Sequence, residues 1–223
     1  MGAVVQSFAF ATLHLLDPPP ALTDPRVVLG LISWMSVVVL LLLMWRIRLS
    51  SLTAVVGPIA FLTAFAGSLG SPREAAGIAA SGTWPHAHVL LASAGLALMG
   101  VAGLAGLFYL AEHRRLKSKR FMRRSLRLPS LEALDRVNAI ALAVGFPLLT
   151  LGVITGTLWL RSATGEFWMA TPHEAWTVVA WGIYAGLAGL RFAAHQGARQ
   201  AAATAVAGFA FLAFAVVGVG MFR

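Results

Sequence analysis

GVITGTLWLRSATGEFWMATPHEAWTVVAWGIYAGLAGLR, residues 152–191, is the stretch on which the reading of this chain turns. It holds the end of one apolar segment, a loop from Arg161 to Pro172 with Phe167 and Trp168, and a second apolar segment carrying Trp176 and Trp181. Two apolar runs of near-membrane length joined by so short a loop read as consecutive helical spans. Glu174, a carboxylate at the membrane edge, stands beside His173 and Trp176 where the second helix starts. Titratable groups at that depth are costly, so they mark a candidate functional site.

The rest of the chain has the same character. Of 223 residues, 59% are hydrophobic and 11% are charged, with a mean hydropathy of +0.81. A soluble domain carries roughly 25% charged residues, so this chain lacks the polar surface of a water-soluble globule. The fold class is all-α: a polytopic transmembrane helical bundle. The apolar runs predict about six spans, at about 27–45, 52–69, 88–111, 137–160, 173–192 and 201–222, making residues 27–223 one transmembrane domain. Residues 1–26 form a short apolar segment, broken at Asp17-Pro-Pro-Pro20, and an outer loop. Pro58 and Pro147 lie inside spans, and Ser130 before Leu131-Glu132 is a helix N-cap signal.

Charge placement sets the topology and argues against a nucleic-acid role. Net charge is +9, and eight of the 17 Lys and Arg residues fall between Arg114 and Arg127, in a single connection between spans. Arg46, Arg48, Arg191 and Arg199 lie on the same side, whereas Arg26, Arg73 and Arg161 are scattered singly on the other. The positive-inside rule then makes the 112–135 linker cytoplasmic and the 161–172 loop extracytoplasmic, in a bacterial inner membrane, with the basic run meeting lipid headgroups. The segments Trp84–His88 and Trp168–Glu174 consequently face the outer side together. Cysteine is absent, so the chain has no thiol chemistry and no Cys-x-x-Cys-His for covalent haem.

The residues able to carry chemistry cluster at that outer end. His88 opens the third predicted span and His173 the fifth. Neutral imidazole is a good iron ligand, and Trp84, Phe167, Trp168, Trp176 and Trp159 would suit a flat apolar macrocycle. His173, Trp176, Ala180 and Tyr184 share one helical face. Arg73 and Arg161 are positioned to pair with ligand carboxylates. Each residue also has a plainer reading. Tryptophans line ordinary membrane interfaces, Glu174 favours a helix N-terminus, His173 belongs to a cap, and His86, His113 and His195 are loop or interfacial residues. The glycine repeats, Gly152-x3-Gly156 and Gly182-x3-Gly186, read as close helix contacts.

Taken together the residues resemble a known family. Trp84-x3-His88 at the head of a span, followed by small residues, Tyr109 and a basic exit, resembles the segment with the first external histidine of CcsA-type cytochrome c assembly proteins. The run Gly152-Val-Ile-Thr-Gly156 … Phe167-Trp168 … Pro172-x-Glu174-x-Trp176 … Trp181 … Tyr184 … Arg191 resembles their tryptophan-rich segment and the span after it. The pattern is closest to the smaller HemX-like and YpjD-like members. Where the full family has Trp-Asp-Pro-Lys-Glu, this chain has Ala170-Thr171-Pro172-His173-Glu174, and Gly189 stands where a late histidine is usual.

The resemblance implies a membrane protein that binds haem b non-covalently at its outer face for cytochrome c maturation. It implies His88 as an axial ligand and a cradle including Trp168, Pro172, Glu174 and Trp176; Trp84 is a further cofactor-binding candidate, and His173 or His86 is the candidate second ligand. The implied partners are haem, other cytochrome c assembly subunits, apocytochrome c and membrane lipids. No group is placed for bond-making, so the expectation is a handling component and not an enzyme. The rival reading is a scaffold or regulator of tetrapyrrole synthesis, or of another membrane complex, that binds no haem. A permease ranks below both because the spans carry almost no buried charge.

Overall fold

The computed structural model describes residues 4–8, 25–46, 56–60, 62–64, 83–117 and 129–221, and the regular structure among them is helical. In chain order the long elements are α1 (Pro25–Arg46), α2 (Thr83–Lys117), α3 (Leu131–Thr164), α4 (Pro172–Ala188, running into a π-helical turn at Gly189–Ala193) and α5 (Ala198–Met221). The stretches Val27–Trp45, Thr83–Lys117 and Leu131–Thr164 are long and apolar enough to cross a membrane, and Ala198–Phe214 is a shorter apolar helix. The chain is a multi-pass membrane protein built as an all-α bundle. Of the span expected at 52–69, residues 56–60 and 62–64 are helical. Its remainder, Arg73, and linker residues 118–128 lie outside the described residues.

Local chemistry fixes where the helices start and stop. Ser130 caps α3, its Oγ accepting the Ala133 N–H at 3.2 Å, as the Ser-Leu-Glu sequence predicts. Thr171 caps α4 by accepting the Glu174 N–H at 3.3 Å, with Pro172 in the first helical position, where its missing donor costs nothing. The α3 helix stops at Gly165, whose φ of +82° is a left-handed conformation that suits glycine and lets its N–H reach the Arg161 carbonyl at 2.9 Å.

Two helices are longer than the apolar runs predict, and this moves a key residue. His88 does not open its helix: α2 begins at Thr83, placing His88 in the second turn. Pro85 is compatible with that earlier start, because first-turn residues have no i−4 carbonyl to bond. At 35 residues α2 is longer than the membrane core is thick, roughly 52 Å against about 30 Å of hydrocarbon. Its polar ends, Trp84 and His86 at one and Arg114, Arg115 and Lys117 at the other, therefore reach the interfaces. Likewise α3 starts at Leu131 and ends at Thr164, which brings Asp135 and Arg161 into the helix.

Small residues hold the centre together. Along α2, positions 88, 92, 95, 99 and 102 meet positions 156, 152, 149, 145 and 138 of α3, an antiparallel register in which alternating four- and three-residue steps on α2 run against the same steps on α3 from 156 to 145. A Cβ on Gly95 would stand 2.8 Å from the Leu149 backbone nitrogen, and one on Gly152 would stand 3.0 Å from the Ala92 backbone. Without a hydrophobic driving force between helices in lipid, such backbone approach is what van der Waals packing needs. Met99, Ala105, Leu134, Val137 and Ala141 are fully buried around this seam. Gly106, which shares their helical face in the sequence, is turned instead to the Ala202 carbonyl of α5.

The α4 helix is tied in from two sides. Trp181 Nε1 donates to Thr150 Oγ1 of α3 at 3.0 Å. Trp176 packs on Phe211 and Phe214 of α5, at ring separations of 5.9 and 6.2 Å. Gly182, Gly186 and Gly189 face open space, so the expected close contact through Gly182-x3-Gly186 is not made within the described bundle.

Candidate functional site

The geometry around His88 follows directly from the α2–α3 seam. Its Nδ1 lies 2.7 Å from the Gly152 carbonyl oxygen. A carbonyl only accepts, so Nδ1 carries the proton and Nε2 carries the lone pair. The ring fits because Gly156 has no side chain: a Cβ there would stand 2.8 Å from Nδ1 and 2.9 Å from Cε1. Trp159, nearly one turn further along α3, closes one side with its ring 6.1 Å from the imidazole. An imidazole held by a backbone carbonyl through one nitrogen is the usual arrangement of a histidine that offers the other to a metal.

Aromatic side chains extend this end of the bundle. Trp84 lies one turn before His88 and is 43% exposed. In the α3–α4 loop Phe167, Trp168 and Met169 are each about half exposed, in consecutive positions. The Arg161 guanidinium lies 4.4 Å over the Phe167 ring, a cation–π contact that fixes the start of the loop. Within the protein, Arg161 thus meets an aromatic face.

The other predicted site residues have well-defined structural places. Glu174 accepts the Met169 N–H through Oε2 at 2.9 Å while its own N–H goes to Thr171. These two bonds hold the loop against the start of α4, with Ala170 at a φ of +54°. Pro172 begins the helix, and His173 follows on an exposed face of the first turn, its carbonyl accepting from Thr177 Oγ1 at 2.8 Å. Trp176 and Trp168 are not brought together as a stacking pair. Trp176 shares the buried stripe of Ala180 and Tyr184 and faces α5, because helical periodicity puts those positions on one face. Among the described residues, no three His, Cys, Asp or Glu side chains converge as a metal cluster. What the site offers is one oriented imidazole beside exposed aromatic surface.

Two contributors were read in the sequence only as packing residues: Gly152, through its carbonyl, and Gly156, through its absent side chain. Their spacing from Trp159 is visible in the sequence, but their meeting with His88 depends on the register between two helices.

The model of the cytochrome c assembly protein family matches residues 28–223. The chain belongs to this family. The cytochrome c biogenesis protein CcsA of Prochlorococcus marinus (strain MIT 9303) is 36% identical over 97 residues, which is 44% of this chain and 30% of the relative. CcsA of Parasynechococcus marenigrum (strain WH8102) is 33% identical over 97 residues, 44% of this chain and 32% of the relative. CcsA of Microcystis aeruginosa is 33% identical over 95 residues, covering 43% and 29%. The matched part thus spans about a third of the length of these family members.

Proposed function

We propose that this family member handles haem for cytochrome c maturation, holding haem b non-covalently with His88 Nε2 on the iron. The observation that carries the reading is the 2.7 Å contact from His88 Nδ1 to the Gly152 carbonyl, which leaves Nε2 as the basic nitrogen. Haem would supply an iron with axial positions open to imidazole. The chain's own residues then divide the work. Gly152 and Gly156 orient the imidazole, while Trp84 and Trp168 give exposed apolar surface for a porphyrin face. His173 is the candidate for the second ligand. Pro172, Thr171 and Glu174 set the loop, and Trp176 anchors α4 behind it.

The reading extends to location and partners. The basic end, with Arg114, Arg115, Lys117, Arg136 and Arg199, faces the cytoplasm of a bacterial cell, and the His88 end faces outward. Apocytochrome c and further assembly subunits meet the protein at that outer face. In this reading the chain binds and presents haem, and the thioether bonds form on the cysteines of apocytochrome c.

A scaffold that binds no haem is the second reading. It is favoured by the structural engagement of Glu174 in a cap and of Trp176 in α5 packing. The absorption spectrum of the detergent-purified protein, as isolated and after dithionite, separates the two. Haem handling predicts Soret and α bands that weaken or shift in His88→Ala. A protein that is colourless and takes up no added haemin supports the scaffold.

A further inference from the structure

The opposite, basic end of the bundle contains a small cavity with polar side chains in a largely apolar wall, which the proposed site does not use. It measures about 10 Å³ and lies among Asn138, Leu142, Tyr184, Arg191, Gln196 and Thr204, from three helical segments and the turn after α4. Space of this size holds roughly one water molecule. Its walls are unusual for a membrane interior. Tyr184 is 1% exposed and Asn138 is 2% exposed, yet Tyr184 Oη and Asn138 Oδ1 each have no hydrogen-bond partner among the described residues.

The neighbouring polar groups are already engaged, which narrows what can satisfy these two atoms. Asn138 Nδ2 donates to the Ala102 carbonyl of α2 at 3.0 Å, fixing the amide so that Oδ1 is the free end. Arg191 Nη2 donates to Asp135 Oδ2 at 2.9 Å, with Oδ1 of the same carboxylate 2.8 Å away in the ion pair but without a hydrogen bond of its own. Thr204 Oγ1 directs its proton within its own helix or toward Gln196 Oε1, leaving a lone pair on the cavity wall. The unmet needs are thus a donor for Asn138 Oδ1 and an acceptor for the Tyr184 hydroxyl. Water provides both at once, and buried polar groups are met by protein or by ordered water in the great majority of cases.

We infer that a resident water molecule occupies this cavity, accepting the Tyr184 O–H and donating to Asn138 Oδ1. Its remaining proton is directed to the Thr204 oxygen. The water thereby joins α3, α4 and α5 where Asn138 also grips α2, beside the Asp135–Arg191 pair and the π-helical turn that carries Arg191. It is a structural ligand of the basic end, independent of haem at the other.

Water-edited solid-state NMR on the full-length labelled chain in deuterated-lipid bilayers tests this. The inference predicts magnetisation from water reaching the Tyr184 ring and the Asn138 amide several-fold faster than it reaches Met99, which is equally buried but apolar. In Tyr184→Phe the Asn138 transfer should slow toward the Met99 rate. Wild-type Tyr184 and Asn138 as dry as Met99 would overturn the inference, whether or not the variant folds. So would fast transfer to Asn138 that is unchanged by Tyr184→Phe, because the water would then not be shared.

Discussion

His88 Nδ1 stands 2.7 Å from the Gly152 carbonyl oxygen, across the seam between α2 and α3. Two consequences follow from this contact. It selects the tautomer with a lone pair on Nε2, and it makes the histidine's orientation depend on how closely the two helices approach. The approach is set by Gly95, Gly152 and Gly156, whose missing side chains bring backbone against backbone or backbone against imidazole. The packing that stabilises the bundle and the geometry that readies His88 are one feature.

Gly156→Ala therefore separates this account from simple packing. Its Cβ would meet His88 Nδ1 at 2.8 Å and displace the ring from Gly152. Haemin affinity should fall by about 10–100-fold, the usual cost of disturbing a metal ligand's hydrogen-bond partner. Gly182→Ala, a substitution into open space, should leave affinity unchanged. Optical titration of both purified variants with haemin gives the comparison.

Glu174 should behave as a capping residue. Its Oε2 accepts the Met169 N–H at 2.9 Å, a bond that an amide oxygen can also make. Glu174→Gln should retain haemin affinity within about twofold, whereas Glu174→Ala should lower thermal stability by about 1 kcal/mol, as cap losses do. If Glu174→Gln abolished binding with the fold intact, the carboxylate would be contacting the ligand directly.

The tryptophans should divide by location. Trp168→Ala removes exposed surface from the loop beside the His88 end and should weaken haemin binding with little change in melting temperature. Trp176 is packed on Phe211 and Phe214, so Trp176→Ala should lower melting temperature, with any change in binding following from that. Trp181→Phe loses its bond to Thr150 Oγ1. That should cost about 0.6 kcal/mol, the average for side-chain hydrogen bonds between membrane helices. Melting curves and titrations on the same preparations check all three.

At the basic end, Arg191 is 13% exposed and Asp135 is 27% exposed in their ion pair. Such partial burial lies between the surface and core cases, so Asp135→Ala should destabilise by about 1–3 kcal/mol. Adding Arg191→Met should recover most of that loss, because the damage is an unpaired buried cation. A double variant as unstable as the sum of the singles would show that the two side chains act separately.

Much of this was legible in the chain itself, for physical reasons. Long apolar runs and the Arg114–Arg127 cluster leave only a helical membrane bundle, and Ser130 announces its helix start through local chemistry. Although Gly106 is turned to α5, the stripe His88, Ala92, Gly95, Met99, Ala102 and Gly106 could be read as one face because helical periodicity is intrinsic to the chain. Its partner could not, since the register against Gly145, Gly152 and Gly156 is a long-range property. The same limit applies to Trp176, whose aromatic character suits a ligand cradle and an interhelical contact equally well, and only its neighbours Phe211 and Phe214 distinguish them. The helix start at Thr83 was hidden because Trp84-Pro85-His86 looks like a loop, although proline is well tolerated in a first turn.

The central claim is that His88 Nε2 is bonded to haem iron. Resonance Raman spectroscopy of the reduced, haem-loaded protein, with and without ¹⁵N-histidine, tests it most directly. The account predicts an isotope-sensitive iron–histidine band that is lost or shifted in His88→Gly, where His173 alone would remain, and that is restored when imidazole is added to that variant. An isotope-sensitive band that persists unchanged in His88→Gly would contradict the account, because the iron would then be held by another histidine.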